Sequence, residues 1–283
     1  METAVDDSSQ RSLDRRNAEF WNELCGTGLA RAIGITDVTT ESLRRFDDAY
    51  FGMYPYLMDY VTPYALNGKK VLEIGLGYGT LGQRLVERGA DYHGLDISPG
   101  PVMMMRYRLQ QLGRQPNVRE GSALEMPYDA ETFDYVYSIG CLHHTGNLQR
   151  AIAEVHRVLK LGGRSIIMLY NRHSFRQIVR VTLPRWREWL NRRKAKVLSG
   201  EDVRAMYDTN SVGEAAPHTD YVTRQEAGRL FAGFSRVCID VQNFDSFWLP
   251  GRILFIPREN CLNNIGRVLG LDLYITAVKR ETS

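Results

Sequence analysis

Cysteine is sparse in this sequence: four residues, Cys25, Cys141, Cys238 and Cys261, scattered over 283, with no Cys-x-x-Cys pair. That scatter argues against a disulfide framework and a thiolate zinc site, and suits a reducing, cytoplasmic setting. No other ligand cluster has metal-site spacing, so no catalytic metal is expected. Long apolar runs are missing too. Nothing approaches the roughly 20 residues that span a bilayer, so no stable membrane insertion is expected. The first ten residues, Met1 to Gln10, are acidic and polar, without the positive start and apolar core of a signal peptide. Repeats and low-complexity tracts are also absent. What remains is an ordinary globular composition, 43 % hydrophobic and 24 % charged. A chain of this length buries about three-quarters of its unfolded surface, so a full core is available without staples.

The net charge of +3 conceals an asymmetry. Nine basic residues lie between Arg172 and Lys196 (Arg172, Arg176, Arg180, Arg185, Arg187, Arg192, Arg193, Lys194 and Lys196), against one acid, Glu188. The rest of the chain is therefore net acidic. This basic element also carries Phe175, Trp186 and Trp189. Such a pattern serves an anionic membrane, a phosphate backbone or an acidic substrate, or simply forms the solvated face of a packed helix.

Strand and helix patterns alternate from residue 69 to about 170, which points to a parallel sheet with crossover helices. The spacing predicts strands over 69–75, 91–97, 117–123, 133–140 and 163–170, then two more over 236–244 and 271–279. The last alternates apolar and polar residues like a half-buried strand. Thr80 with Gln83, Ser174 with Gln177 and Thr223 with Glu226 have capping-box spacing, and Ser98-Pro99 suits a cap followed by a first-turn proline. An apolar stripe of Leu148, Ile152, Val155 and Leu159 predicts a helix over 147–160, stopped at Leu161-Gly-Gly163. Two pieces stand outside the alternation: an aromatic-rich helical stretch, 1–68, and an insertion, 171–222, that holds the basic element. Insertions of that length without a sheet strand are usually lids or binding loops.

Between the first strand and its helix runs Val71-Leu-Glu-Ile-Gly-Leu-Gly-Tyr-Gly-Thr80. Glycines let backbone approach a ligand closely at the carboxyl ends of parallel strands. A nicotinamide site would need Gly or Ala where Thr80 stands, which disfavours an oxidoreductase. Glu73-Ile-Gly75-Leu-Gly77-Tyr-Gly79 resembles the acidic-x-Gly-x-Gly-x-Gly loop of class I S-adenosylmethionine-dependent methyltransferases of the ubiquinone/menaquinone-biosynthesis-like kind, methyltransferase type 11. Gly94-Leu-Asp96-Ile-Ser98, Gly121-Ser-Ala-Leu-Glu-Met-Pro127, Ile139-Gly-Cys-Leu-His-His-Thr145 and Val158-Leu-Lys-Leu-Gly-Gly-Arg164 continue the likeness in order, strongly over about 65–170. The resemblance implies an α/β, Rossmann-like, doubly wound, mostly parallel seven-stranded sheet. Residues 1–68 would form a helical cap on a methyltransferase domain, 69–283, with residues 171–222 as its inserted lid.

The resemblance also implies roles. Glu73, Gly75, Gly77, Gly79 and Gly140 would surround the methionine end of S-adenosylmethionine. Asp96 would accept from both ribose hydroxyls, and Ile97 would pack on adenine. Ser122 stands where the family usually has an acid for the adenine amino group, which leaves more of that contact to Ala123. Tyr50 and Tyr54 would cap the cofactor, since aromatic faces attract a sulfonium. Methyl transfer mainly needs alignment and exclusion of water. Where the acceptor must lose a proton, His144, His173 and Tyr170 are candidates at the strand ends, while His143, Arg172 and His218 are candidates for substrate contact. Each of these also has a bland reading as pocket lining or a solvated rim group. The expected function is methylation of oxygen or nitrogen in a small molecule or short peptide, possibly one bearing a carboxylate. Rival readings are an RNA or DNA methyltransferase that clamps phosphates with the basic element, and a non-catalytic cofactor-binding interaction protein. Against the nucleic-acid reading, the chain is acidic elsewhere.

Overall fold

The computed structural model describes residues 7–24, 26–184, 198–249 and 253–281. Cys25 and much of the basic element, including Arg185, Trp186, Arg187, Trp189 and Arg192 to Lys196, lie outside them. The elements run α1 (Asp7–Trp21), α2 (Thr27–Ala32), α3 (Thr40–Met53), a 3₁₀ turn (Pro55–Tyr60), β1 (Lys70–Ile74), α4 (Thr80–Glu87), β2 (Asp91–Asp96), α5 (Pro99–Gln111) and β3 (Val118–Glu120). They continue with β4 (Phe133–Ile139), a 3₁₀ turn (Leu142–His144), α6 (Leu148–Val158), β5 (Leu159–Asn171), α7 (Phe175–Gln177), α8 (Gly200–Ala205), β6 (Tyr221–Val222), α9 (Arg224–Leu230), β7 (Phe234–Gln242), a small hairpin of β8 (Phe247–Trp248) and β9 (Phe255–Ile256), and β10 (Asp272–Lys279).

The main sheet follows the order β3-β2-β1-β4-β5-β10-β7, with β6 added beside the end of β5. Strands β3, β2, β1, β4 and β5 are parallel, and β10 is antiparallel to both neighbours. The order reverses between β1 and β4, so a crevice opens at their carboxyl ends. Alternation along each strand fills both faces. Leu72, Ile74, Val136 and Ile167 pack on one side with Ile152 and Val155 of α6. Val71, Tyr137, Ile166 and Tyr274 pack on the other with Leu81, Leu85, Met105 and the 3₁₀ turn's Tyr56 and Tyr60.

Five differences from the sequence reading have local causes. First, the insertion does contribute a strand: β6 pairs Tyr221 and Val222 with Tyr170 and Asn171, making eight strands. Second, the strand at 271–279 is not half-buried. It lies between β5 and β7, so Asp272 and Tyr274 are covered by the tyrosine layer as fully as Leu273 and Ile275 on the opposite face. Third, Thr80 does not cap α4. Left-handed Gly79 is the cap residue, and the Thr80 hydroxyl donates to Asp47 at 2.7 Å. Fourth, Ser98 makes no cap bond and donates to the Ala18 carbonyl of α1, while Pro99 holds the first turn as expected. Fifth, α6 stops at Val158 and Leu161-Gly-Gly163 falls inside β5. The capping box of Thr223 and Glu226 forms in full, whereas Ser174 only accepts from the Gln177 amide.

Candidate active site

The loop leaving β1 shapes the floor of the crevice. Gly75, Gly77 and Gly79 have φ of 82°, 49° and 72°, the left-handed region open mainly to glycine. A Cβ on Gly75 would collide with the Cys141 side chain at the end of β4, so the loop closes tightly there. Above this floor is one open cavity, about 1050 Å³ counting its mouth. Its walls include Gly75, Leu76, Gly77, Asp96, Ile97, Ser122, Ala123, Gly140 and Cys141 from the strand ends, and Asp14, Asn17, Trp21, Phe46 and Tyr50 from the helices before the sheet.

Two buried carboxyls face it. Glu73 is covered by α4 and α5 and accepts from the Tyr92 hydroxyl at 2.5 Å; burial pushes its pKa up to about 8. Gly82 lies beneath it, where a Cβ would sit 2.5 Å from the Glu73 Oε2. Asp96 ends β2. Its Oδ2 accepts from the Leu76 amide at 2.8 Å and its Oδ1 from the Ser98 amide at 2.9 Å. Burial raises it to about 6 in spite of those amides. The Ile97 amide also bonds the carboxylate, and acceptor capacity remains for a ligand.

The helical cap is tied to this floor by a buried ion pair. Arg108 of α5 donates to both oxygens of Asp47 on α3, at 2.9 Å each, and to Gln83 at 2.6 Å. Asp47 also accepts from Thr80, and Gly79 packs on the Arg108 stem. Gly79 therefore stands behind the cavity rather than in its wall. Phe46 stacks on Tyr78 at 4.1 Å, and Tyr50 packs against Tyr54 at 5.0 Å. Tyr50 borders the cavity; Tyr54 stands behind it, under Arg258.

The turn after β4 joins both outlying pieces. The His144 and Thr145 carbonyls accept from Asn17 and Gln10 of α1, each at 2.8 Å. The His143 carbonyl accepts from the Asp220 amide at 2.7 Å. On the ring of His144, Nδ1 lies 2.7 Å from the His218 carbonyl, which can only accept, so that nitrogen carries the hydrogen. Its Nε2 is shielded from solvent, 3.7 Å from Asp208 Oδ2, and Trp21 packs on the ring at 4.7 Å. Burial lowers the His144 pKa and raises that of Asp208, which disfavours the charged form of each.

Several expected site residues lie elsewhere. His143 is fully buried beneath Tyr170, ring centroids 4.1 Å apart, and burial holds its pKa well below the usual histidine range. Tyr170 donates to Asp208, at 3.0 Å to the nearer oxygen, and does not border the cavity. Arg172 is exposed, bound to the Tyr221 carbonyl and paired with Glu226 at 2.9 Å, and does not border the cavity. His173 is exposed and does not border the cavity. His218 contributes its carbonyl, while its ring lies 3.1 Å from Asp220. The sequence reading missed Asp14, Asn17, Trp21, Asp47, Arg108 and Asp208. All but Arg108 lie in the cap or the insertion, where no motif marks them; Arg108 is hidden in an ordinary helical pattern.

Comparison with known proteins gives this geometry a family. Residues 72–167 match the methyltransferase domain of type 11. Over 109 residues the chain is 32 % identical to the ubiquinone biosynthesis O-methyltransferase of Pseudomonas aeruginosa, covering 38 % of this chain and 47 % of that protein. Over 151 residues it is 28 % identical to the demethylmenaquinone methyltransferase of Tropheryma whipplei, covering 51 % and 59 %. The matches thus span about half to two-thirds of the curated relatives' length. Among solved structures, a chain of the Haloferax volcanii complex that contains the Trm112 methyltransferase activator shares the fold, with a TM-score of 0.55 at 16 % identity over 84 % of this chain and 94 % of that one. Residues 72–167, about a third of the chain, thus match the type 11 methyltransferase domain.

Proposed function

We propose that the chain transfers the methyl group of S-adenosylmethionine to an oxygen or nitrogen of a small molecule with an apolar body, leaving S-adenosylhomocysteine. The observation that carries this reading is a single cavity shared by the glycine floor, Asp96 and an aromatic rim of Trp21, Phe46 and Tyr50. The residues present fit the cofactor. A Cβ at Gly75 would push the loop off Cys141 and disturb the floor that must receive its methionine end, and Asp96 keeps acceptor capacity for the ribose.

The bound cofactor supplies an electrophilic methyl on sulfur, which an in-line lone pair takes as the carbon–sulfur pair returns to sulfur. The chain's contribution is placement and dryness. Asp96, held by the backbone amides of Leu76, Ile97 and Ser98, would accept from the ribose without reorganising. Glu73 gives a carboxyl near the ammonium end, and the aromatic faces stabilise positive charge beside the sulfur. We assign His144 to positioning rather than proton transfer. Its Nδ1 is committed to His218 and its Nε2 is sealed beside Asp208, so the ring borders the cavity with its carbon framework.

An apolar acceptor is favoured over an anionic one because no Lys or Arg is among the described lining residues and Arg172 is engaged elsewhere. The relatives' names point to quinone chemistry, which suits such a body. The test incubates the protein with methyl-labelled S-adenosylmethionine and three acceptor sets: phenols and quinols with hydrocarbon tails, benzoate-type acids, and bulk RNA. Label should enter the first set. Transfer to RNA that falls steeply with salt would establish the nucleic-acid reading instead. Transfer to none, from a protein that does not bind S-adenosylhomocysteine, would sink the proposal.

A further inference from the structure

Beyond Asp96 the cavity ends between Ile97, Gly121, Ser122 and Ala123 on the sheet side and Asp14 of α1 on the other. Ser122 is poorly suited to reading a ligand there. Its hydroxyl oxygen accepts from the Leu124 amide at 3.2 Å, and it lies 3.5 Å from Asp14 Oδ2. Asp14, by contrast, brings a charged acceptor to the cavity wall. Gln10, one turn earlier on α1, donates from Nε2 to Asp14 Oδ1 at 2.8 Å, and the same nitrogen reaches the Thr145 carbonyl at 2.8 Å. Gln10 is buried, so the carboxylate is oriented from behind by a fixed donor. Oδ2 has only the long contact to Ser122, and among the described residues Asp14 joins no ion pair.

A ligand whose ribose lies at Asp96 extends its base toward this end. The purine edge there can offer an exocyclic amino group, a donor that needs an acceptor. We propose that Asp14 accepts from the adenine amino group, so that the nucleobase is selected by helix α1, outside the family domain. This rests on the S-adenosylmethionine reading above. The carboxylate is acceptor-only, held in place before the ligand arrives, and a base lacking the amino group leaves it desolvated with no partner. Adenine recognition and closure of the cap then become one event, because Gln10 and Asn17 also brace α1 on the turn that bears His144.

The test compares S-adenosylhomocysteine with its analogue carrying hydrogen in place of the 6-amino group, by calorimetric titration of the full-length protein. The wild type should prefer the amino compound about tenfold or more, the range of a charge-assisted hydrogen bond. Asp14→Ala should lose that preference by weakening only the amino compound. Asp14→Asn should keep part of it, through the amide oxygen. Gln10→Ala leaves the carboxylate in place but unbraced; it should show an intermediate preference and gives a readout if Asp14→Ala does not fold. Undiminished preference in folded Asp14→Ala would overturn the assignment, and so would a wild type that binds both compounds equally. A wild type that binds neither overturns the cofactor reading itself, which separates the two failures.

Discussion

Gly75 carries the largest local constraint in the site. Its left-handed φ costs any other residue about 1–2 kcal/mol, and a methyl group there meets Cys141. Gly75→Ala should lower stability by about 2–4 kcal/mol in denaturant titration and weaken S-adenosylhomocysteine at least about tenfold, since 1.4 kcal/mol of misfit suffices. Gly28→Ala is the control: it lies in α2 with nothing within 4 Å of its Cβ, and should be neutral or slightly stabilising. Glu73 makes a second prediction. With a pKa near 8 it is mostly neutral at pH 7, and a ligand ammonium would favour the carboxylate. Binding should therefore release a proton and tighten as pH rises toward 8, levelling off above it; Glu73→Gln should flatten that slope in calorimetry. Gly75, Glu73 and Asp96 were legible in the sequence because their constraints are local, within a strand, a turn and a helix start. Asp14 and Asp208 were not, because what makes each notable lies more than 60 residues away, the cavity end at Ser122 for one and the His144 ring for the other.

Among elements, the informative contacts hold the cap and the insertion to the sheet. The Arg108–Asp47 pair fixes α3 to α5 and is buried on both sides. Removing one member leaves the other desolvated, so Asp47→Ala should cost about 3–5 kcal/mol, whereas Asp47→Leu with Arg108→Met should recover much of it. A double-mutant cycle in urea checks this, and losses that simply add in the double variant would refute the coupling. The core elements were readable from hydrophobic period, as α6 and the strands from β1 to β5 show, although the punctuation expected at Thr80 and at Leu161-Gly-Gly163 did not mark the helix ends. What escaped was set by neighbours. The alternation of β10 promised one wet face, yet Tyr56 and Tyr60 cover it. Thr80 had capping-box spacing, yet Asp47 offered its hydroxyl a better partner. The two residues of β6 add an eighth strand, too short for any periodicity to announce.

For the molecule as a whole, burial of Glu73 and Asp272 has a consequence for stability. Their folded pKa values, about 8 and about 7, lie above their unfolded ones, so the folded state keeps protons that the unfolded chain gives up. Their stabilising contribution is complete below about pH 4. It declines as pH rises through 7 and 8, then levels. Tm should therefore be at least about 2 °C lower at pH 8.5 than at pH 5.5, and Asp272→Asn should shrink the difference; a Tm that rises over that interval would contradict the assignment. The sheet order, the crevice at its switch point and the cap over it converge on one cavity, and the function stands or falls with what that cavity holds. The decisive measurement is calorimetric titration of the folded protein with S-adenosylhomocysteine at pH 8, alongside Asp96→Asn. One-to-one binding in about the micromolar to sub-millimolar range, weakened at least about tenfold by the loss of one charged ribose acceptor, is the expected result. No binding at millimolar ligand, or equal binding by Asp96→Asn, would contradict it.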